Sequence, residues 1–314
     1  MERNPEHPET LITDPGVDDT LAMYLYKNLF PEYPFHIVAT FGNLPAQSSI
    51  INALKIRRVL GAQNWTVTQG ATEPLVKSRH RLPQTTFHGP DGLWEVPLPG
   101  GAGELEASHQ STKGQADRIL SLAPLTGVDE LVISGYKPQF LTLMGGAFNI
   151  DGNVKPLDQE GKVIADSKRF AEYNIAHDAD AADRFFRNCR DIGVRVVPID
   201  AVAEILWSQN LIENISASSV GQMFMADILK TWASKYNPEI VKRGLRPYDA
   251  VAAFLTLYPD EASWEEKGVE VVTEGVERGR TLFSQSNPHC LVAVSVDEPE
   301  RVAKAVFDLI FTKF

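Results

Sequence analysis

Three carboxylates fall within six residues in Asp14-Pro15-Gly16-Val17-Asp18-Asp19. Concentrated carboxylate charge repels itself unless a cation offsets it, and an all-oxygen ligand set suits a hard ion such as Ca²⁺ or Mg²⁺. Pro15 and Gly16 make a tight turn that folds the chain back, so Asp14 and Asp19 can converge on one point. A single Asp at a helix start is adequately explained as a cap for free N–H groups and a complement to the helix dipole. Three in one turn are harder to account for that way. The chain contains no Asp-x-Asp-x-Asp-Gly loop and no glycine-rich loop followed by Lys-Ser/Thr, which sets aside an EF-hand and a phosphate-binding loop.

The elements that must position this turn follow from the apolar pattern. Leu11-Ile12 is a short apolar run ending at the turn, and Leu21, Ala22, Leu25 and Leu29 then share one face of a helix. Further strands are expected at 35–40, 65–68, 139–143, 194–199, 268–273 and 290–295. Helices are expected near 48–60, 112–121, 178–189 and 217–235, from Asp249, and from about Glu298 to the end. Strands alternating with connecting helices predict an α/β fold around a largely parallel, mixed sheet. A strand-to-helix turn is where open α/β sheets place their ligands. Segments 70–110 and 151–169 break the rhythm: the first reads as a long binding loop or lid, the second as a polar surface hairpin. No internal repeat or linker divides the 314 residues, so one domain spanning 1–314 is the economical reading.

Composition narrows the function classes. The formal net charge is −11, from 30 Lys+Arg and 41 Asp+Glu, which argues against nucleic acid or an anionic membrane as a partner. No apolar run approaches the roughly 18 residues of a membrane span, and the first residues lack an apolar signal core, so a cytoplasmic protein is expected. Cys189 and Cys290 have no partner motif and read as buried hydrophobes. His80, His88 and His109 lie in the irregular 70–110 segment without the spacing of a zinc site. His177 is expected to cap a helix, and Asp200 to be structural.

At this level the residues carry a resemblance. Ile12-Thr13-Asp14-Pro15-Gly16-Val17-Asp18-Asp19 resembles the N-terminal signature of the inosine/uridine-preferring nucleoside hydrolases. The likeness continues through Phe41-Gly42-Asn43, His88-Gly89-Pro90-Asp91-Gly92-Leu93 and Leu122-Ala123-Pro124-Leu125-Thr126. It runs on through Leu143-Met144-Gly145-Gly146-Ala147, Ala171-Glu172-Tyr173-Asn174 and Asp178-Ala179-Asp180-Ala181-Ala182, then Tyr248-Asp249-Ala250-Val251-Ala252 and Arg278-Gly279-Arg280-Thr281. Each block alone is weak; the series, in family order over nearly the whole chain, is specific.

The resemblance implies a single-domain, Rossmann-like α/β fold that hydrolyses the N-glycosidic bond of ribonucleosides with one Ca²⁺. It implies Asp14, Asp19, Asp249 and the carbonyl of Leu122 as metal ligands, with Asp14 also taking the proton of the attacking water. Asp18, Asn153, Glu172 and Asn174 would hold the ribose hydroxyls, Asn43 would sit near the water, and His88 beside the base. A homodimer or homotetramer is the assembly the family implies. Read singly, Asn43 after Gly42 suits a turn, His88 suits a loop surface, and Glu172 and Asn174 alternate along an extended segment as solvated or capping residues.

Four features depart from the family pattern. Tyr248 occupies a place where many members have a His that protonates the leaving base, and an ordinary Tyr pKa near about 10 makes it a poor proton carrier at neutral pH. Trp94, where Gly is common, is a candidate to stack on the base or to anchor its loop. Ile12 replaces an Asp behind Asp14. The polar insertion between Asn153 and Glu172 leaves Asn149 as a rival for the ribose contact. Two other functions compete: a calcium-dependent nucleoside- or ribose-binding protein without catalysis, and a Mg²⁺ phosphohydrolase of the haloacid-dehalogenase type. The latter needs Asp two places before or after its partner, and Ile12 denies it.

Overall fold

The computed structural model describes residues 7–77, 81, 85–100, 117–158 and 160–312. The strands are β1 (Thr10–Thr13), β2 (His36–Ala39), β3 (Thr66–Gln69), β4 (Arg118–Ser121), β5 (Phe140–Met144), β6 (Gly193–Val197), β7 (Ser263–Val271), β8 (Thr281–Ser284) and β9 (His289–Ser295). They form one nine-stranded sheet in the order β3-β2-β1-β4-β5-β6-β9-β7-β8. Every pairing from β3 to β9 is parallel, and β7 runs antiparallel to both β9 and β8. This is the mixed α/β sheet expected from the pattern.

The longer helices are α1 (Val17–Leu29), α2 (Ala46–Val59), α4 (Thr126–Ile133), α6 (Ala179–Asn188), α9 (Val220–Lys235), α11 (Tyr248–Leu257) and α12 (Pro299–Phe311). Short helices fill the connections: α3 (Thr85–His88), α5 (Tyr173–His177), α7 (Ile199–Val202), α8 (Gln209–Glu213) and α10 (Pro238–Val241). Both faces of the sheet are covered, as a parallel sheet requires. Successive strand residues point to opposite faces, so Leu11 joins the core under α1, α9, α11 and α12, while neighbouring Ile12 joins the core under α4 and α6.

Two local expectations are corrected. No helix covers 117–121: Arg118–Ser121 is the strand between β1 and β5. A short apolar run buried on both faces has no period that separates strand from helix, and 112–116 lie outside the described residues. Glu172 and Asn174 are not on an extended segment. Glu172 caps α5 and Asn174 lies inside it. The 151–169 segment does fold back on itself, through antiparallel bridges Val154–Ala171 and Leu157–Val163.

The strand order places the site. Running outward from β1, the chain goes one way to β2 and β3 and the other way to β4, β5 and β6. The carboxyl ends of β1 and β4 therefore flank the point where the order reverses, and a crevice opens there between diverging connections. Asp14 follows β1 and Leu122 follows β4, so the acidic turn lies at this crevice.

Candidate active site

The turn after β1 is held from inside. Asp19, fully buried, accepts from the Thr13 hydroxyl, from the main-chain N–H of Gly16 at 3.0 Å and from the Asn43 amide at 3.1 Å. It thereby does the work of a helix cap for α1, whose N-cap residue Gly16 has no side chain to offer. Asp14, also fully buried, accepts from the Asn43 main-chain N–H at 2.6 Å through Oδ2. Its Oδ1 has no hydrogen-bond partner among the described residues, and neither does Oδ1 of Asp18. Asp249 arrives at the N-terminal turn of α11, the helix packed on α1.

One oxygen each from Asp18, Asp19 and Asp249 lie within 4.8 Å of one another, all three residues buried. Asp14 borders this group. Burial is the main reason that the pKa values of Asp14 and Asp249 stand well above the ordinary carboxylate range, with repulsion from neighbouring carboxylates second. The same causes push Asp18 up to about 8, and burial raises Asp19 despite its hydrogen bonds. A native fold that buries four carboxylates and leaves two oxygens unpaired is incomplete as it stands. A hard cation with oxygen ligands fits it, supplying charge and coordination together.

The other expected residues surround this centre. Leu122 O accepts from the Asn174 amide at 3.1 Å, and the same amide donates to Met144 O at 3.1 Å, tying together the ends of β4 and β5. Glu172 is buried and accepts from the N–H groups of Asn174, Ile175 and Gly146 at 2.9–3.2 Å. Burial nevertheless holds its pKa at about 7. Asn153 has a buried Oδ1 with no partner among the described residues, whereas Asn149 is exposed and held by its main chain on Asp200. Asp200 is thus structural as expected, accepting from Phe148 and Asn149.

His88 accepts from the Val17 main-chain N–H through Nδ1 at 3.1 Å and lies 4.0 Å from Asp18. That bond fixes the tautomer: Nδ1 is the acceptor, so Nε2 carries the proton. Burial lowers its pKa to about 3, and the ring is neutral at physiological pH. Tyr248 opens α11, and its phenol feels Arg246, Asp18 and Glu172, with burial pushing its pKa to about 12. Trp94 donates through its indole N–H to Phe87 O at 3.1 Å and meets Tyr236 edge-on. Its contacts run to its own loop and to α9.

Several residues went unnoticed in the sequence. Thr13 holds Asp19, and the Tyr173 hydroxyl reaches Gly42 O at 3.3 Å with its ring against His177. Phe87, beside His88, packs on Trp232 and Tyr236 of the α9 end. Their spacing of four on a helix was visible but is equally that of ordinary core. His177 does not cap; Asp178 caps α6, accepting from Ala181 N–H at 3.1 Å. Cys189 and Cys290 are buried, as expected, with sulfurs 3.8 Å apart. His80 and His109 lie outside the described residues.

Comparison with known proteins gives the family. The profile of the inosine-uridine preferring nucleoside hydrolases matches residues 11–303, and the chain belongs to that family of enzymes. It is 28% identical over 296 residues to uridine nucleosidase 1 of Arabidopsis thaliana, covering 89% of this chain and 83% of that one. It is 29% identical to the pyrimidine-specific ribonucleoside hydrolase RihA of a Shewanella strain, over 67% of this chain and 64% of that one. Among solved structures, a plant nucleoside hydrolase superposes with a TM-score of 0.81 at 22% identity, covering 98% of this chain and all of that one. A purine-preferring ribonucleoside hydrolase from Gardnerella vaginalis gives 0.78 at 24%, over 96% and 97% of the two chains. Among the described residues no helix is long and apolar enough to cross a membrane.

Proposed function

We propose that this protein hydrolyses the N-glycosidic bond of ribonucleosides, releasing free base and ribose, with Ca²⁺ held by Asp14, Asp19, Asp249 and the carbonyl of Leu122. The observation that carries this reading is the group of four buried carboxylates at the β1/β4 switch point, with Oδ1 of Asp14 and of Asp18 unpaired. Bound there, Ca²⁺ supplies charge compensation and a Lewis acid that lowers the pKa of water.

The chain's own groups do the rest. Asp14, held through Oδ2, offers Oδ1 to take a proton from the attacking water, whose oxygen forms the new bond to the anomeric carbon. The C–N bond breaks and its electron pair leaves with the base, which acquires a proton. Positive charge develops on the sugar, and the surrounding carboxylates stabilise it at that moment. Asp18, Asn153, Glu172 and Asn174 hold the ribose hydroxyls, with Asn43 keeping Asp14 aimed. His88 Nε2–H and the Tyr248 phenol are neutral donors for the departing base, and Trp94 supports the base-side loop.

The test is a panel of purine and pyrimidine ribonucleosides, uridine first given the relatives' names, assayed for reducing sugar with Ca²⁺ and after chelation. Sugar release that chelation abolishes and Ca²⁺ restores is expected. Saturable binding without sugar would make the protein a nucleoside binder, and cleavage of phosphate esters with Mg²⁺ would overturn the reading altogether.

A further inference from the structure

The loop that carries His88 and the turn that carries Asp14 come from distant parts of the chain. Among the described residues no main-chain hydrogen bond joins turn 14–17 to loop 88–95. Two side chains bridge them: His88, whose Nδ1 accepts from the Val17 N–H at 3.1 Å, and Asn52. Asn52, on α2 and 2% exposed, donates from Nδ2 to Pro15 O at 3.2 Å and to Asp91 O at 2.7 Å. Its Oδ1 accepts from Lys55 at 3.3 Å, and Lys55 also lies 3.7 Å from the Asp91 carboxylate. With two carbonyls on one side and an ammonium on the other, only one orientation of the amide satisfies its partners.

The seam beneath this amide is packed to glycine contact. A Cβ on Gly16 would stand 2.3 Å from His88 Nδ1, and one on Gly92 would stand 2.8 Å from Asn52 Nδ2. The loop is also strained, with Trp94 and Glu95 at φ of 56° and 58°. Asp91 Oδ1 braces this stretch from either side of Trp94, accepting from Leu93 and Glu95 N–H at 3.0 and 2.8 Å. Such strain persists only where neighbours over-determine the backbone, and Asp91 is the residue that Asn52 grips.

We infer that Asn52 is a positioning residue, a latch that holds the base-side loop against the acidic turn so that the His88 ring stands over Asp18. It touches neither substrate nor reacting atoms, and its role in turnover rests on the proposed function. Loss of the latch lets the loop relax outward, and misplacing a catalytic group by about 1 Å can cost on the order of 100-fold in rate.

The experiment compares Asn52→Asp, which keeps the shape but sets a carboxylate against two carbonyls, with Asn52→Ser, a smaller change that keeps the test open if the first does not fold. Each is combined with His88→Ala. A latch lowers kcat about 10- to 100-fold with KM little changed, and costs less than about twofold further in the His88→Ala background, because both changes then act through one ring. Hydrogen exchange of the full chain should quicken in segments 14–18 and 85–96 and stay unchanged in β4–β6. Effects on kcat that multiply in the double variant would overturn the inference, as would unchanged exchange in those segments. If the unaltered protein releases no sugar from any nucleoside, the proposed function fails by itself, and the exchange measurement alone decides the latch.

Discussion

The main-chain N–H of Asn43 lies 2.6 Å from Oδ2 of Asp14, while the Asn43 side chain reaches Asp14 O at 3.2 Å and Asp19 Oδ2 at 3.1 Å. A single residue in the loop after β2 thus aligns two carboxylates belonging to the turn after β1. It does so with neutral donors, so the negative charge of the turn is oriented without being cancelled. Asp14 Oδ2 is engaged by this clamp, and Oδ1 remains for chemistry.

Asp14→Asn is expected to lower sugar release by about 10²- to 10⁴-fold, the range for loss of a positioned base. An amide can still accept from the Asn43 N–H, so the fold should be kept. In chelator the variant should melt no lower than the unaltered protein, because a buried group whose charge is disfavoured has been replaced by a neutral one. A melting curve and a reducing-sugar assay decide both points. Collapse of the fold would show that Asp14 is structural.

Gly42 has the closest approach in this region. A Cβ there would lie 1.9 Å from Asp14 Oδ2 and 2.9 Å from Pro124 Cδ. Gly42→Ala must therefore displace the Asp14 carboxylate, and activity should fall at least about 100-fold. Gly61→Ala is the control. It meets open space at φ +61°, so it costs only the left-handed backbone penalty of about 1–2 kcal/mol and should leave turnover intact. Equal losses of activity in the two variants would refute the contact argument.

Most of the parallel strands and the longer helices α1, α2, α6, α9, α11 and α12 are legible as apolar runs or 3.6-residue stripes, whereas α4 and the short connecting helices are not. Nor is Arg118–Ser121, since a run of four buried on both faces has no period. The Asp14–Asp19 turn announced itself by charge density, and Asp249 joined it only through the family resemblance. The reason is physical: α11 meets α1 by packing, which no local spacing encodes. Glu172 and Asn174 read as extended because α5, which Glu172 caps through the N–H groups of Asn174 and Ile175, is only five residues long and too short to show a helical period. Asn52 carried no signal at all, since an Asn within a helix is commonplace until its two carbonyl partners are known.

Raised carboxylate pKa values give a definite pH dependence of stability. Asp18 moves from its ordinary 3.8 to about 8 on folding. Between those values the folded chain binds more protons than the unfolded one, so stability falls as pH rises, by at most about 1.4 kcal/mol per pH unit for each such group. Asp14, Asp19 and Asp249 shift in the same direction. In chelator the melting temperature should therefore drop steadily from about pH 5 to about pH 8. Added Ca²⁺ should raise it, and by more at the upper end, where protons no longer compete for the oxygens. A chelated protein whose stability increases over this range would contradict the buried cluster.

Tyr248 bears on the kind of help that the proposed leaving base would receive. Burial pushes its phenol to about 12, and Asp18 and Glu172 add to the shift, so it stays protonated throughout the working range. His88 is neutral there too, with its proton on Nε2. Neither of these two neutral donors gains or loses charge near pH 7. Tyr248→Phe should cost about tenfold in kcat, the value of one hydrogen bond of roughly 1.4 kcal/mol. The shape of the pH–rate profile should be the same for both proteins from about pH 6 to about pH 10. If the phenol instead acts by titrating, the variant will lose the alkaline limb of the profile, and the assignment of neutral donors fails with it.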